Sequence, residues 1–316
     1  MESFSIFERD SLNSIGEKAW DIIASSSHGK ILASFSRAIY LSSSRKELFW
    51  LTAEGSPMHR RSVEVRGIHP GPSAGSTYRI CDGTLEFEGG HQLVLTHQEV
   101  WRPERIQTEG RFEQFEISRT LLEAMSSLTY LSSPKGFGCL LPDIYQMVGD
   151  GTESYDRHPN SPVLNLAWPC VRDIITAINL QNYTQVFPPS FQLIGLGQGL
   201  TPSGDDYLGG LLFTWKILTK SMKKIPTFKQ RDLDLFLAYA KRNTNIISYS
   251  ILADHVNGYG SDTLHQFVNA ILVGEPAEKL QDLLVNLIAI GHSTGWDILA
   301  GVLTGILLGV GEKSAI

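Results

Sequence analysis

The residues best suited to chemistry lie in two short stretches, one in the middle of the chain and one near its C-terminal end. The first stretch, residues 195–212, reads GLGQGLTPSGDDYLGGLL and combines glycines, a Thr-Pro pair and adjacent carboxylates. The second stretch, residues 294–303, reads TGWDILAGVL and aligns without gaps on residues 203–212. Both fit the pattern S/T-G-x-D-x-L-x-G-x-L, so the chain contains the same helix start twice.

Each copy predicts a capped helix N-terminus. Ser203 and Thr294 are typical N-cap residues, and Asp206 and Asp297 stand three positions later, where a carboxylate accepts the N-cap backbone N–H. The apolar run at residues 191–194 predicts a strand or a buried extended segment. A glycine-rich loop before a helix exposes N–H groups and about +0.5 of an elementary charge, which favours phosphate or carboxylate. The same residues also fit a well-capped helix start without a ligand.

The two helices are predicted to pack against each other. Gly301, Gly305 and Gly309 form a small-residue face. An interior glycine costs a helix about 1 kcal/mol relative to alanine, so such a face is best explained by a close helix–helix contact. The apolar run at residues 298–310 is shorter than the about 20 residues that span a bilayer, which predicts a buried central helix. Packed as neighbours, the two helix starts form a two-sided site.

The candidate site residues follow from these starts and from one further segment. Asp205 and Asp206 are possible Mg²⁺ ligands, since Mg²⁺ takes one or two carboxylates plus substrate oxygens. Capping by Asp206 and Asp297, with Asp205 in solvent, explains the same residues. His292 is an acid–base candidate or a boundary residue. The predicted catalytic residues are Asp205, Asp206, Asp297 and His292, and the predicted substrate-binding residues are Gly197, Gly199, Thr201, Ser203, Gly204, Asn243, Ser248, Thr294 and Gly295.

Several better-known motifs are excluded. The dinucleotide fingerprint fails because Leu200 stands where its third glycine belongs, and no Gly-Lys-Ser/Thr follows the loop as in a P-loop. Ser203 is not in a Gly-x-Ser-x-Gly elbow, so a hydrolase triad with His292 has no motif support. Asn243 and Ser248 precede an apolar helical run, and they either cap that helix or line the cavity between the helix starts.

Composition limits the class of protein. The 316 residues are 42% hydrophobic, enough for two domains, and the net charge of −6 argues against a nucleic-acid partner. The first residues contain no long apolar segment, which argues against a signal peptide, and no segment predicts a membrane span. Three widely spaced cysteines fit neither a disulfide framework nor a Cys-x-x-Cys metal site. These features predict a reduced, cytoplasmic protein and leave homo-oligomerisation open.

The hydrophobic period divides the chain and predicts an α+β fold. A leading helix at residues 11–25 and short strands to about residue 103 predict a small antiparallel barrel or sandwich domain over residues 1–105. An all-helical domain follows over residues 106–316. Strands are predicted at residues 31–35, 38–41, 48–51, 62–65, 78–80, 84–88 and 93–96. Helices are predicted at residues 115–130, 163–180, 206–222, 233–252, 263–272, 277–290 and 297–308, with an irregular segment at residues 141–161.

The two signature stretches resemble a bacterial family of long-unknown function that includes the AllH-type subunit of oxamate carbamoyltransferase, from anaerobic allantoin breakdown. The motifs GLGQGLTPSGDD and GHSTGWD carry the resemblance, and the segment at residues 243–258 and Trp101-Arg-Pro103 are also similar. The resemblance implies a part in transferring a carbamoyl group between phosphate and the amide nitrogen of oxamate, alongside partner subunits.

Residues 195–212 contain no Lys or Arg, although carbamoyl transfer usually places a cation where charge develops. The preferred prediction is a site for a small anion, such as carbamoyl phosphate or an oxamate-like metabolite, in a carbamoyltransferase-like enzyme of purine breakdown. A non-catalytic assembly or regulatory subunit is the first alternative. A metal-dependent hydrolase that uses the same aspartates is the second.

Overall fold

The computed structural model describes residues 12–67, 72–95, 100–103, 133–149 and 161–310. The chain divides into two compact units, Met1–Glu104 and Arg105–Ile316. The first unit is a β-sheet with one helix and the second is helical, so the predicted α+β class is confirmed.

The first unit contains one curled sheet that forms a half-barrel. Its strand order is β8-β7-β6-β2-β3-β4-β5-β1-β9. Most neighbours are antiparallel, but β4 with β5 and β1 with β9 are parallel, so the prediction of a purely antiparallel barrel or sandwich was wrong in this detail. The strands are β1 (Leu12–Gly16), β2 (His28–Ser34), β3 (Ala38–Ser43), β4 (Leu48–Ala53), β5 (Ser62–Val65), β6 (Thr77–Cys81), β7 (Thr84–Phe87), β8 (Gln92–Val94) and β9 (Val100–Trp101).

The predicted leading helix at residues 11–25 is a strand followed by a helix, α1 (Glu17–Ala24). Ile15 pairs with Val63 of β5 and with Val100 of β9, and these pairs extend the sheet at residues that were expected to be helical. Ala19, at the next apolar position, is buried beneath the sheet with the rest of the α1 face. At Ile15, strand pairing therefore outweighs the helical spacing of apolar residues on which the prediction of a helix was based.

The second unit contains nine helices in the described part of the chain, with 3₁₀ turns at Gly136–Leu140 and Tyr183–Val186. The helices are α2 (Leu141–Gly149), α3 (Pro162–Asn179), α4 (Phe187–Leu193), α5 (Ser203–Ser221), α6 (Gln230–Asn243), α7 (Ile246–Val256), α8 (Asp262–Val273), α9 (Ala277–Ile288) and α10 (Thr294–Val310).

Three predictions for this unit need correction. The segment at residues 191–194, expected to be extended, lies mostly in α4, which begins with two prolines near its N-terminus, where proline is tolerated. The helix predicted at residues 233–252 is two helices, because Asn245 caps α7 through the N–H groups of Ile247 and Ser248. The irregular segment predicted from residue 141 begins with α2, and residues 150–160 lie outside the described part, as does the helix predicted at residues 115–130.

Helices α5 and α10 lie side by side at the centre of the second unit, nearly all of their residues buried. A Cβ on Gly301 would overlap the carbonyl oxygen of Tyr207, and a Cβ on Gly210 would overlap that of Ile298. Gly305 and Gly309, on the same face of α10, lie against the side chains of Thr214 and Leu218. The predicted close contact and buried central helix are confirmed. No helix among the described residues is long and apolar enough to span a membrane.

Candidate functional site

The first helix start differs from the predicted cap. Helix α5 begins at Ser203, the N-cap is Pro202, and no side chain caps the helix. Asp206 is therefore the fourth helical residue and not the third, since its N–H donates to the carbonyl of Pro202 (3.1 Å). The N–H of Gly204 donates to Leu196 (2.9 Å). A proline carbonyl thus begins the hydrogen-bonded helix, which leaves the Ser203 side chain available for another contact.

The second helix start is shifted in the same way. Helix α10 begins at Thr294, and the N–H of Asp297 donates to the carbonyl of Ser293 (2.9 Å), so Thr294 is not the N-cap and Asp297 is the fourth helical residue. The Gly295 N–H donates to Ile290 (2.9 Å). The two starts therefore remain equivalent in structure, as they are in sequence.

The hydroxyls that were expected to cap their own helices bond instead across the helix pair. The Ser203 hydroxyl hydrogen-bonds Asp297, and the Thr294 hydroxyl hydrogen-bonds Asp206. The hydroxyl oxygen of Thr201, in the loop before α5, lies 3.1 Å from the hydroxyl oxygen of Thr294. This exchange is reciprocal, as are the glycine contacts of the two helices, and it indicates an approximate two-fold relation between the starts. The predicted two-sided arrangement is present.

Asp206 is the most enclosed carboxyl group of the site. Burial raises its pKa well above the usual range, hydrogen bonds from Thr201 and Thr294 oppose that rise, and the charge of Asp297 adds to it. Its Oδ2 is buried and has no hydrogen-bond partner in the part of the chain that the structure describes. A buried acceptor without a partner is costly, so this atom is suited to a proton or to a donor from a ligand.

Asp297 has a similar environment with one additional donor. Its Oδ1 accepts the backbone N–H of Phe137 (2.6 Å), and Ser293 and Ser203 donate to its carboxyl group. Burial raises its pKa in spite of these hydrogen bonds. Its Oδ2 is buried and, within the described residues, lacks a partner. The two equivalent aspartates thus each keep one unsatisfied oxygen at neighbouring helix starts.

Asp205, in contrast, is fully engaged by its own unit. Its Oδ1 accepts the N–H of Gly195 (2.7 Å), and its Oδ2 accepts the hydroxyls of Thr244 and Ser248 (both 2.5 Å). Burial raises its pKa, and the three hydrogen bonds act in the opposite direction. The expectation that Asp205 faces solvent was wrong. Its side chain, at the start of α5, hydrogen-bonds both the glycine loop (residues 195–201) and the start of α7.

The glycine loop presents a run of unused donors. Gly195, Gly197 and Gly199 have φ values of 75°, 123° and 97°, in the region that favours glycine. Within the described residues, the backbone N–H groups of residues 197–201 donate to no protein acceptor. Thr201 and Thr294 are half-buried, and Gly199 is exposed. Successive free N–H groups beside two accessible hydroxyls are typical of an anion-binding concavity.

Two further predicted site residues lie at the edge of this arrangement. His292 is exposed in the turn before α10. Asn243 ends α6, its side chain donates to Tyr239 (2.9 Å), and its carbonyl faces Gly195, where a Cβ would come within 2.7 Å. Ser248, by comparison, is buried and bound to Asp205. Roles for these residues in binding or catalysis stay predictions.

The described residues contain no group of three or more His, Cys, Asp or Glu side chains placed to hold a metal ion. Asp205 and Asp206, the predicted Mg²⁺ ligands, differ in whether a carboxylate oxygen is free to bind an ion. The oxygens of Asp205 already accept three donors, whereas Asp206 keeps one free oxygen. A Mg²⁺ ion at Asp206 would need substrate oxygens and water for the rest of its coordination.

The sequence does not predict several residues that complete the site. Gly136 and Phe137 contact Asp297 from a 3₁₀ turn 160 positions away, and nothing in their local sequence indicates this. Asn245 carries a recognisable signal, since an asparagine before an apolar run is a common N-cap. Its side chain also donates to the Leu200 carbonyl (2.7 Å), which fixes the end of the glycine loop.

Comparison with known proteins agrees with this location. Residues 193–306, which contain the loop, both helix starts and Asp205, match the family model described as oxamate carbamoyltransferase subunit AllH. No solved structure matches the chain significantly. Residues 193–306 are therefore similar to the AllH family, which confirms the resemblance given by the two signature motifs.

Proposed function

We propose that the helical unit binds a small anionic metabolite, of the carbamoyl phosphate or oxamate kind, as one subunit of a carbamoyltransferase. The observation that carries the proposal is the run of free N–H groups at residues 197–201 beside the half-buried hydroxyls of Thr201 and Thr294. The family match to an oxamate carbamoyltransferase subunit supports the class of ligand.

The two chemical ends of such a ligand suit the two sides of the site. Carboxylate or phosphate oxygens accept hydrogen bonds, which the loop N–H groups and the positive end of α5 supply. The amide N–H groups of a carbamoyl or oxamate group are donors, and the free oxygen of Asp206 is an acceptor. The ligand is thus oriented with its charge on the loop and its amide toward the helix pair.

The protonation state of Asp206 controls how many hydroxyl protons face an anion. An ionised Asp206 accepts from Thr201 and Thr294 and occupies their protons. A protonated Asp206 donates to one of them, and that hydroxyl proton becomes free for the ligand. Because burial raises the pKa of Asp206, the protonated form persists to higher pH than in an ordinary aspartate. Anion binding and proton binding at Asp206 therefore favour each other.

No positive side chain influences the two central carboxyl groups from within the part of the chain that the structure describes. The groups that shift the pKa values of Asp206 and Asp297 are hydroxyls, a backbone N–H and other aspartates, and no Lys or Arg is among them in the described part of the chain. A cation usually stabilises the negative charge that develops in carbamoyl transfer. We therefore propose that a partner subunit, or a Mg²⁺ ion bound with substrate, supplies this charge. An assembly or regulatory role is the alternative that the same observation favours.

The test is thermal unfolding of the purified chain with oxamate, carbamoyl phosphate, inorganic phosphate or oxalurate, each with and without Mg²⁺. A ligand at a hundredfold excess over its Kd stabilises the folded state by about 2.7 kcal/mol, which raises Tm by several degrees. Thr201→Val and Thr294→Val keep the side-chain shape, remove one hydroxyl each, and should abolish most of the shift.

Thr176→Val is the matched control, because the Thr176 hydroxyl is exposed and donates to the Arg172 carbonyl on α3 (2.9 Å), away from the glycine loop. This variant should retain the full ligand-dependent shift. A shift of equal size in Thr201→Val and Thr176→Val would place the ligand elsewhere. No shift with any ligand would favour the assembly role.

A further inference from the structure

A second concave site lies on the opposite half of α5. It is a cavity of about 370 Å³ between the C-terminal half of α5, the segment before α6, the first turn of α6 and the end of α7. Ligand pockets typically start at about 300 Å³. Lys216 lines this cavity and lies ten positions after Asp206, about 15 Å along the helix at 1.5 Å per residue. The cavity is therefore separate from the glycine loop.

The floor of the cavity is apolar and aromatic. Trp215 and Phe228 are buried, with ring centroids 5.5 Å apart, and Leu212 and Val256 extend this surface. The Trp215 indole N–H already donates to the Pro226 carbonyl (3.0 Å). The indole therefore offers the cavity its apolar ring and no free donor, which suits an apolar or aromatic group.

The rim of the cavity is positive. Lys216 and Lys229 line it, together with Thr219, Thr227 and Gln230, and no carboxylate lines it. Neither lysine forms an ion pair within the described residues, although the whole chain carries a net charge of −6. Burial lowers the pKa of Lys220, on the same helix, and the nearby charge of Lys216 lowers it further. The lining thus combines two ammonium groups, which form no ion pair among the described residues, with an aromatic surface.

The start of α6 adds to this field. Lys229 is its N-cap and provides no side-chain acceptor, although its carbonyl accepts the N–H of Asp232 (3.0 Å), so a 14-residue helix begins next to the cavity without a side-chain cap. Asp232 and Asp234 in the first turns of α6 lie outside the lining, and Asp234 accepts from Gln230 (2.9 Å). The helix end thus reinforces the lysine charge where the cavity opens.

From this geometry we infer that the cavity is a binding site for a small organic anion with an aromatic or apolar body and one carboxylate. The body packs on Trp215 and Phe228, and the carboxylate pairs with Lys216 and Lys229. The site does not depend on the signature motif and is separate from the ligand proposed for the glycine loop. Its occupant is distinguished from inorganic anions by the need for the apolar body.

The experiment is calorimetric titration of the full chain with benzoate, with its neutral analogue benzamide and with inorganic phosphate. Benzoate should bind at least tenfold more tightly than either of the others, and Lys216→Gln should weaken benzoate binding about tenfold, as expected for a charge-assisted hydrogen bond. Lys223→Gln, in the same segment but outside the cavity lining, should leave it unchanged. Thr201→Val should also leave it unchanged, which separates this site from the glycine loop.

Equal affinities for benzoate and benzamide would overturn the role of the lysines. Phosphate binding as tight as benzoate would overturn the role of the aromatic floor. Benzoate binding that is lost in Thr201→Val and kept in Lys216→Gln would assign the ligand to the glycine loop and overturn the proposal. Absence of saturable binding up to about 10 mM, a very weak affinity, would overturn it as well.

Discussion

Asp206 combines burial, a like-charged neighbour and an oxygen without a partner among the described residues. Each of these features destabilises an ionised carboxylate, whereas the hydroxyls of Thr201 and Thr294 only partly oppose them. A side chain that served as a helix cap alone would gain more from a solvated position near the N-terminus. These features support the ligand-binding role that we propose for Asp206.

The pH dependence of unfolding tests the state of Asp206. Its pKa is raised in the folded chain, so the folded state holds this proton more tightly than the unfolded state, and stability falls as pH rises above about 4. Asp206→Asn removes this loss. We expect the variant to be more stable by about 1–2 kcal/mol at pH 8 and nearly equal at pH 4, measured by urea unfolding.

Asp173→Asn provides the comparison, because Asp173 is exposed and, among the described residues, forms its ion pair with the neighbouring Arg172. It should change stability little at either pH, as expected of a surface ion pair. If Asp206→Asn were instead less stable than the natural chain at pH 8, the carboxylate would be a net stabilising group, and the argument from burial would fail.

Asp205 has a structural role that its neighbours can reveal. Ser248→Ala removes a buried hydroxyl that donates to the Asp205 carboxylate (2.5 Å). Because hydrogen bonds to charged groups contribute about 1.5–3 kcal/mol, we expect a loss of this size in the free energy of unfolding. Thermal or urea unfolding measures it directly.

Ser250→Ala is the control for that change. Ser250 is also buried on α7, two residues later, and it makes no hydrogen bond among the described residues. Its replacement should change stability by less than about 0.5 kcal/mol. Equal effects of the two alanine variants would show that the Ser248 hydroxyl does not hold Asp205.

Helices α5 and α10 position the site because their backbones approach closely. Their glycines allow this contact, and the contact brings Ser203 beside Asp297 and Thr294 beside Asp206. The repeated pattern in the sequence was enough to predict that the two starts meet. It was not enough to predict that the hydroxyls bond across the pair, since capping within one helix fits the same spacing equally well.

The close contact between α5 and α10 predicts that replacing a glycine there by alanine destabilises the fold, which is opposite to the effect of helix propensity. Glycine to alanine in a helix normally gains about 1 kcal/mol. A Cβ on Gly301, however, would overlap the backbone of Tyr207, which cannot move without shifting α5. We expect Gly301→Ala to lower the free energy of unfolding by about 1–3 kcal/mol, the usual cost of overpacking, as measured by urea unfolding.

Gly309→Ala, on the same face of α10, is the matched variant. The first atom that its Cβ would meet is Cδ1 of Leu218, at 2.6 Å, and the end of a leucine side chain can rotate away. Its effect should lie near zero or be slightly stabilising. A stabilising effect of Gly301→Ala similar to that of Gly309→Ala would contradict the close backbone contact.

At the scale of the whole chain, the sequence predicts the change of fold class but not the details of the contacts. The switch in hydrophobic period correctly gave a sheet followed by helices, and seven of the nine strands begin or end within a few residues of their predicted positions. Strand β1 and the division between α6 and α7 were missed, because each depends on a partner distant in sequence or on one capping residue. The contact of Phe137 with Asp297 is beyond any local signal for the same reason.

The position of the two helix starts was easier to predict than the contacts of their side chains. The glycine loop and the duplicated helix starts are local patterns, and they also fall within the family match at residues 193–306. The separate roles of Asp205 and Asp206 could not be predicted, because adjacent carboxylates in one sequence point to different neighbours in the fold. Of these two adjacent carboxylates, Asp206 is the one that retains an oxygen without a partner among the described residues, and it is the residue on which the proposed ligand binding depends.

Calorimetric titration of the chain with oxamate at pH 6 and pH 8 tests the central claim most directly. If Asp206 must hold a proton for a threonine hydroxyl to donate to the anion, the affinity should be lower at pH 8 than at pH 6, and Asp206→Asn should remove that dependence. An oxamate affinity that is the same at both pH values, in the natural chain as in Asp206→Asn, would contradict the coupling between this carboxyl group and the anion.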